Sequence, residues 1–145
     1  MLDTLSPQQL ADHVSVVMYA KDRATIALGM TVTRIGPGSA TLTMTVREDM
    51  LNGADVCHGG LITTLADSAF AYACNSRNLL TLASGLSTDF VSSALLGDVL
   101  TADAVEVVLK GNTGVYDVIV RNQNEQVIAT FRGRSHRMKG RFTCP

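Results

Sequence analysis

Asp67 is the residue of this chain that most clearly suggests chemistry. It is the only acidic residue, lysine or arginine between Asp55 and Arg77, and it lies inside a largely apolar run. The apolar positions recur with helical spacing, at 61, 62, 65, 66, 69, 70, 73 and 74. A helix this apolar is usually buried, and burying a lone ionised carboxylate is costly, so Asp67 calls for an explanation. It could be functional, it could be a partly exposed helix aspartate, or it could be hydrogen-bonded to Thr63 or Thr64.

A glycine pair, Gly59 and Gly60, stands where this helix begins. Glycine lets a backbone N–H approach a ligand closely, and the free N–H groups at a helix start attract negative charge. The pair is therefore consistent with an oxyanion hole, and equally with a tight turn. Gly59 and Asp67 are separated by about 12 Å of helical rise, too far for both to reach one atom from a single helix. Antiparallel helices in a two-fold dimer would bring Gly59 of one chain to Asp67 of the other, which predicts paired sites at the subunit interface.

The segment before the helix carries two polar candidates, Asn52 and His58. The Asn52 amide could orient a water or a carbonyl, although an Asn-Gly pair most often forms a turn. His58 follows Cys57, but adjacent side chains generally point in different directions, so the pair does not favour a nucleophilic dyad. We expect His58 either to hydrogen-bond near the site or to support the structure.

Substrate contacts are expected from two places. The first is the space beside Asp67, where the helical neighbours are small and a ligand or water could enter. Its candidates are Gly60, Thr63 and Ser68. The second is one face of a C-terminal strand, which could hold the phosphates of a nucleotide-like ligand or could simply be a solvated face. Its residues are Arg132, Arg134 and His136.

Bulk properties exclude several classes of protein. The chain has 145 residues, which predicts a single domain over 1–145, and its net charge of −1 gives no reason to expect nucleic acid as a partner. It has no apolar run long enough to span a membrane and no signal-peptide pattern at its start, so we expect a cytoplasmic protein. The cysteines at 57, 74 and 144 lack the spacing of a zinc site. No metal or organic cofactor is expected.

The patterning along the chain predicts an α+β fold. Ser6, Pro7 and Gln9 predict a capped helix over about 6–20, and the long buried helix is expected over about 58–75. Strands are expected as a pair within 30–46 and as four segments in meander order, at about 81–92, 98–110, 114–123 and 126–137. A basic tail follows at about 138–145. One antiparallel sheet wrapping the long helix is the simplest way to cover it.

The element order and the segment 50–75 resemble the hotdog-fold thioesterases, and within them the phenylacetic acid degradation (PaaI-type) family. The likeness runs from about Ala20 and continues through 87–90, 114–117 and 131–137. The chain departs from relatives after Phe90, where they commonly carry Arg-Pro and this chain has serines, and at Ala71, where some carry threonine. The resemblance implies a hotdog fold, with an antiparallel sheet around one central helix.

The same resemblance implies hydrolysis of acyl-CoA thioesters in phenylacetate catabolism, with phenylacetyl or hydroxyphenylacetyl as acyl group. Asp67 matches the catalytic acid, acting as nucleophile or as base for water, and Gly59 matches the backbone donor to the thioester carbonyl. Asn52 and His58 match supporting polar positions. CoA arrives as part of the substrate, and the implied assembly is a homodimer or a tetramer made of two dimers.

Two other functions stay open at this point. A hotdog hydratase or dehydratase would also use an acid and a histidine on a thioester-bound chain, but the His-x-x-Gly loop expected of that class is absent. A non-catalytic acyl-CoA-binding sensor would keep the dimer without needing Asp67 or the Gly59 donor. Release of free thiol from an acyl-CoA separates a hydrolase from both.

Overall fold

Three α-helices and six strands make up residues 1–143, the part of the chain that the computed structural model describes. The helices are α1 (Pro7–Lys21), α2 (Arg23–Ala27) and α3 (Gly59–Asn75). The strands are β1 (Thr31–Gly36), β2 (Ser39–Thr45), β3 (Thr81–Phe90), β4 (Val99–Lys110), β5 (Thr113–Arg121) and β6 (Val127–Arg137). Short 3-10 turns lie at Leu2–Thr4 and Glu48–Met50. No helix within residues 1–143 is long and apolar enough to cross a membrane.

Helix α1 begins as its capping residues predict. The Ser6 side chain accepts from the Gln9 N–H, and the Gln9 side chain accepts from the Ser6 N–H. The Gln8 amide donates to the Ile35 carbonyl at 2.8 Å, which ties α1 to the outer strand β1. Helix α2, which the sequence pattern did not reveal, is capped by Asp22, whose side chain accepts from the Thr25 N–H.

The strands form one antiparallel sheet in the order β1-β2-β4-β5-β6-β3. The predicted meander is correct for β4, β5 and β6 but wrong for β3, which pairs with β6 instead of β4. Strand β2 pairs with the edge of β4 that β5 does not use. Residues 91–98 therefore carry the chain across the sheet, from the end of β3 to the start of β4. Eight extended residues reach about 26 Å, ample for the roughly 14 Å across three strand spacings.

The inner face of the sheet packs on α3 through small residues. Leu65, Ala66 and Ala69 are fully buried there. The Phe70 ring lies edge-on to Tyr116 with centroids 5.4 Å apart, and it occupies the space where a side chain at Gly133 would stand. This arrangement of a sheet around one long helix confirms the predicted α+β hotdog fold.

Helix α3 runs antiparallel beside the edge strand β3. Near its start, the Thr63 hydroxyl donates to the Thr88 hydroxyl at 3.2 Å. At its end, the buried Asn75 amide donates to the Thr81 carbonyl at 3.0 Å and accepts from the Thr81 N–H at 2.9 Å. These contacts fix which end of β3 lies beside the glycine pair, namely the end at Phe90.

The predicted basic tail is docked as far as the structure describes it. The Asn78 side chain accepts a hydrogen bond from the Thr143 N–H at 3.0 Å and donates one to the Thr143 carbonyl at 3.1 Å. Phe142 packs against the core. The last two residues of the predicted tail, Cys144 and Pro145, lie outside the described residues.

We expect Asn75→Ala to lower the free energy of unfolding by about 2–4 kcal/mol, because it leaves two buried backbone groups of Thr81 without partners. Urea unfolding followed by circular dichroism measures the change. Asn124→Ala, which removes an exposed amide whose side chain makes no hydrogen bond within residues 1–143, is the control and should cost less than about 0.5 kcal/mol. Equal losses for the two variants would contradict the role given to Asn75.

Candidate active site

His58 caps the start of α3. Its ring Nδ1 accepts from the Gly60 N–H at 3.0 Å, while the backbone N–H of His58 donates to the Met50 carbonyl at 2.8 Å. The His58 carbonyl accepts from the Leu61 N–H at 2.9 Å. The Gly60 N–H is thus engaged by the cap and is not free to hold a ligand while His58 stays in place.

Gly59, the first residue of α3, keeps an unengaged N–H. None of residues 1–143 accepts a hydrogen bond from it. The start of a helix carries a partial positive charge, and the first N–H groups have no partner within the helix. Gly59 therefore offers one backbone donor to an oxygen that develops negative charge.

Asp67 is half-buried and has no partner. No residue in 1–143 forms a hydrogen bond or an ion pair with its carboxylate. Burial raises the pKa of Asp67 above its ordinary value, because water stabilises the ionised form less well there. A carboxylate of this kind is a stronger base than one in water, as a catalytic base or nucleophile requires.

The nearby threonines do not bond to Asp67, so a hydrogen bond to Thr63 or Thr64 does not account for its position. The Thr63 hydroxyl donates to Thr88, and the Thr64 hydroxyl donates to the Gly60 carbonyl at 2.7 Å. With Asp67 and Ala71, these residues form a stripe along α3 that the sheet leaves partly exposed. Entry of a ligand or water beside Asp67 stays a prediction.

Ser68 and Asn52 are each held by local partners. The Ser68 hydroxyl lies 3.2 Å from the hydroxyl of Thr25, a buried residue of α2. The Asn52 side-chain oxygen accepts from the N–H groups of Ala54 and Val56, at 2.9 and 3.3 Å. Asn52 thus shapes its own turn, and only its amide nitrogen has no partner within residues 1–143.

The basic row lies on the other side of the sheet from Asp67. Arg132, Arg134 and His136 alternate along β6 with the buried Gly133 and Ser135, so they share the outer face. Arg132 donates twice to the Asp117 carboxylate, at 2.7 and 2.8 Å. Within one chain the row does not line the space beside Asp67, and its role in binding substrate stays a prediction.

Cys57 has none of the properties of a nucleophile. Its side chain is buried, burial raises the pKa of its thiol, and its sulfur contacts the His58 carbonyl and not the imidazole. Within residues 1–143, no cluster of three or more histidine, cysteine or acidic side chains could hold a metal ion.

The site also includes residues that the sequence did not reveal. Phe90 lies against Gly59, and Thr25 meets the helix beside Asp67 at Ser68. Both contacts join elements that are far apart in the chain, and the period of a sequence pattern carries no information on such contacts.

The chain is similar in sequence and in structure to known proteins. A sequence profile of the Thioesterase superfamily matches residues 54–129. The acyl-coenzyme A thioesterase PaaI of Escherichia coli K12 is 46% identical over 126 residues, which cover 87% of this chain and 90% of that protein. The solved structure of the E. coli PaaI protein from the phenylacetic acid degradation operon matches with a TM-score of 0.92 and 43% identity, covering 94% of this chain and 99% of that one. A Streptococcus mutans UA159 protein bound to acetyl CoA matches with a TM-score of 0.74 and 28% identity, covering 77% of this chain and 90% of that one.

We expect Asp67→Asn to stabilise the fold at neutral pH. The raised pKa means that the folded state binds the proton more tightly than the unfolded state does, so stability falls as pH rises through the interval above the ordinary value of about 4. Asparagine cannot ionise, so the advantage of the variant should be smallest below that interval and largest above it.

Thermal unfolding between pH 3 and 8, at a fixed protein concentration, measures this difference. Glu125→Gln, which neutralises an exposed side chain without a hydrogen bond to residues 1–143, is the control and should show little change. A variant Asp67→Asn that is less stable than the natural protein at pH 7 would contradict the burial of an unpaired charge.

Proposed function

Because this chain belongs to the thioesterase superfamily, and so is a thioester hydrolase, we propose that it acts on acyl-CoA thioesters whose acyl group is an aryl-acetyl group. Phenylacetyl and hydroxyphenylacetyl groups are the favoured members, and phenylacetate catabolism is the proposed setting. The products are the free acid and CoA.

The relatives support both parts of the substrate. The E. coli protein named acyl-coenzyme A thioesterase PaaI, from the phenylacetic acid degradation operon, supports CoA and the aryl-acetyl group. The S. mutans structure contains acetyl CoA, which supports a CoA thioester as the ligand of this fold. The acyl group itself depends on pocket walls from several strands, so only activity on defined substrates identifies it.

The observation that carries the proposal is the carboxylate of Asp67, the one charged group of α3, which has no partner within residues 1–143 on a helix whose first N–H has none there either. In the proposed reaction the Gly59 N–H donates to the thioester carbonyl oxygen as it gains negative charge. One such donor typically contributes about 3 kcal/mol to stabilising the transition state.

Asp67 can complete hydrolysis by either of two routes. In one, its carboxylate attacks the carbonyl carbon, the C–S bond breaks with release of CoA thiolate, and water then hydrolyses the resulting anhydride. In the other, Asp67 takes a proton from a water that attacks the carbonyl, and that proton passes to the leaving thiolate. The free Asn52 amide nitrogen is the proposed holder of that water or of the carbonyl. Both routes return Asp67 to its starting state.

A second copy of the chain is proposed to complete the site. Gly59 and Asp67 lie about 12 Å apart along one helix, and Thr63 lies midway between them. Thr63 bonds to Thr88, so antiparallel pairing of β3 with β3 of a second copy, centred near Thr88, would place Gly59 opposite Asp67 of the partner subunit.

The outer edge of β3 suits such a contact. It pairs with no other strand within residues 1–143, and Leu86 and Phe90 on it are 40% and 54% exposed. An exposed apolar edge strand is a strong template for pairing with another chain. The proposed assembly is therefore a homodimer with two sites, which can double to a tetramer.

We expect Asp67→Ala and Asp67→Asn to lower kcat for phenylacetyl-CoA by at least about 100-fold, because each removes the base or nucleophile. The thiol released from CoA is followed with a thiol reagent, and circular dichroism checks that the fold is intact. Glu125→Gln should retain normal turnover.

Three outcomes separate the candidate functions. Loss of thiol release in the Asp67 variants, with release by the natural protein, supports the hydrolase. Near-normal kcat in Asp67→Ala would refute the role of Asp67. Binding of acyl-CoA by the natural protein with no thiol release would refute the proposal and favour a sensor.

A further inference from the structure

The Phe90 ring is wedged against the first residue of α3. Its outermost atom, Cζ, lies 2.9 Å from the position that a Cβ at Gly59 would occupy, and the two Cε atoms lie at 3.2 and 3.3 Å. The ring meets the glycine with its edge, and the residue remains 54% exposed. A phenyl ring thus fills the volume that a side chain at position 59 would need.

The N-terminal side of Gly59 makes few contacts of its own. The residue has no side chain, and its N–H bonds to no residue in 1–143. Bonds on either side hold its neighbours, since the His58 N–H donates to Met50 and the Gly60 N–H donates to His58. On the side where a Cβ would stand, the Phe90 ring is the neighbour that packs against Gly59.

Resting on the proposed function, we propose that Phe90 is a positioning residue that fixes the direction of the Gly59 N–H. The ring is carried on β3, which is joined to α3 by the bond between Thr63 and Thr88 one turn further along the helix. Donor direction matters because a displacement of about 1 Å can cost up to 100-fold in rate. An alanine at position 59 would displace the ring.

This role differs measurably from that of a wall of the acyl pocket. A positioning residue acts on the carbonyl, which all thioesters share, so its loss lowers kcat alike for aryl and straight-chain substrates. A wall acts on the acyl group, so its loss raises KM for the group that it contacts. Comparing phenylacetyl-CoA with hexanoyl-CoA separates the two.

The test is a double-mutant cycle of Gly59→Ala and Phe90→Ala, with kcat and KM measured on both substrates. We expect each single variant to lower kcat by about 10-fold on both substrates, with little change in KM. The double variant should be no worse than either single one, because both changes remove the same contact. Val107→Ala, which truncates a comparably exposed residue of β4, is the control and should be normal.

Two kinetic results would overturn the proposal. One is a double variant whose loss equals the product of the single losses, about 100-fold, which would mean that the two residues act independently. The other is a Phe90→Ala effect confined to KM for phenylacetyl-CoA. Failure of the natural protein to hydrolyse either substrate would count against the proposed function and not against this contact.

An NMR measurement that needs no catalytic activity also tests the contact between Phe90 and Gly59. Protein labelled with ¹⁵N-glycine gives the backbone order parameter of Gly59 by NMR relaxation. In the natural protein we expect a rigid value of about 0.85, falling below about 0.6 in Phe90→Ala. An unchanged order parameter, together with an unchanged Gly59 amide resonance, would show that the ring does not hold the donor.

Discussion

A carboxylate held partly out of water, with no partner in the described part of the chain, is the constraint on which this structure depends. The faces of α3 that the sheet covers are apolar. Asp67 lies on the stripe that the sheet leaves partly exposed. Burial raises its pKa and makes it a better base, at some cost to stability. The thioester proposed to lie beside it needs an acceptor of this kind.

The proposed chemistry then needs a second subunit. A straight helix separates its free N–H end from Asp67 by about 12 Å, so no small rearrangement lets both groups meet one carbonyl. Helix α3 lies along its own edge strand. Antiparallel pairing of that strand with its copy would therefore also make the two helices antiparallel. The bond between Thr63 and Thr88 would link the two pairings if the strands pair about Thr88, as proposed. One contact surface would thus generate the dimer and both of its sites.

Local patterns revealed the elements and the principal candidate residues. The capping box at Ser6, the helical spacing around Asp67 and the glycine pair all depend on near neighbours in the chain, and the structure places α1 and α3 where they predict. The position of β3 was wrong, because short connections favour neighbouring strands and residues 91–98 instead cross the sheet. The contact of Phe90 with Gly59 depends on that position and was missed with it. The face of β6 that carries Arg132 was identified, but its side of the sheet was not.

Mixed dimers test most directly whether the site is shared between subunits. Gly59→Pro removes the donor and Asp67→Ala removes the carboxylate, so each homodimer should be inactive. In a purified heterodimer of the two variants, one site combines the intact Asp67 of one chain with the intact Gly59 of the other, while the second site has neither group. The account predicts about half the thiol release of the natural dimer. A heterodimer as inactive as the two parents would show that both groups act from the same chain, and would contradict it.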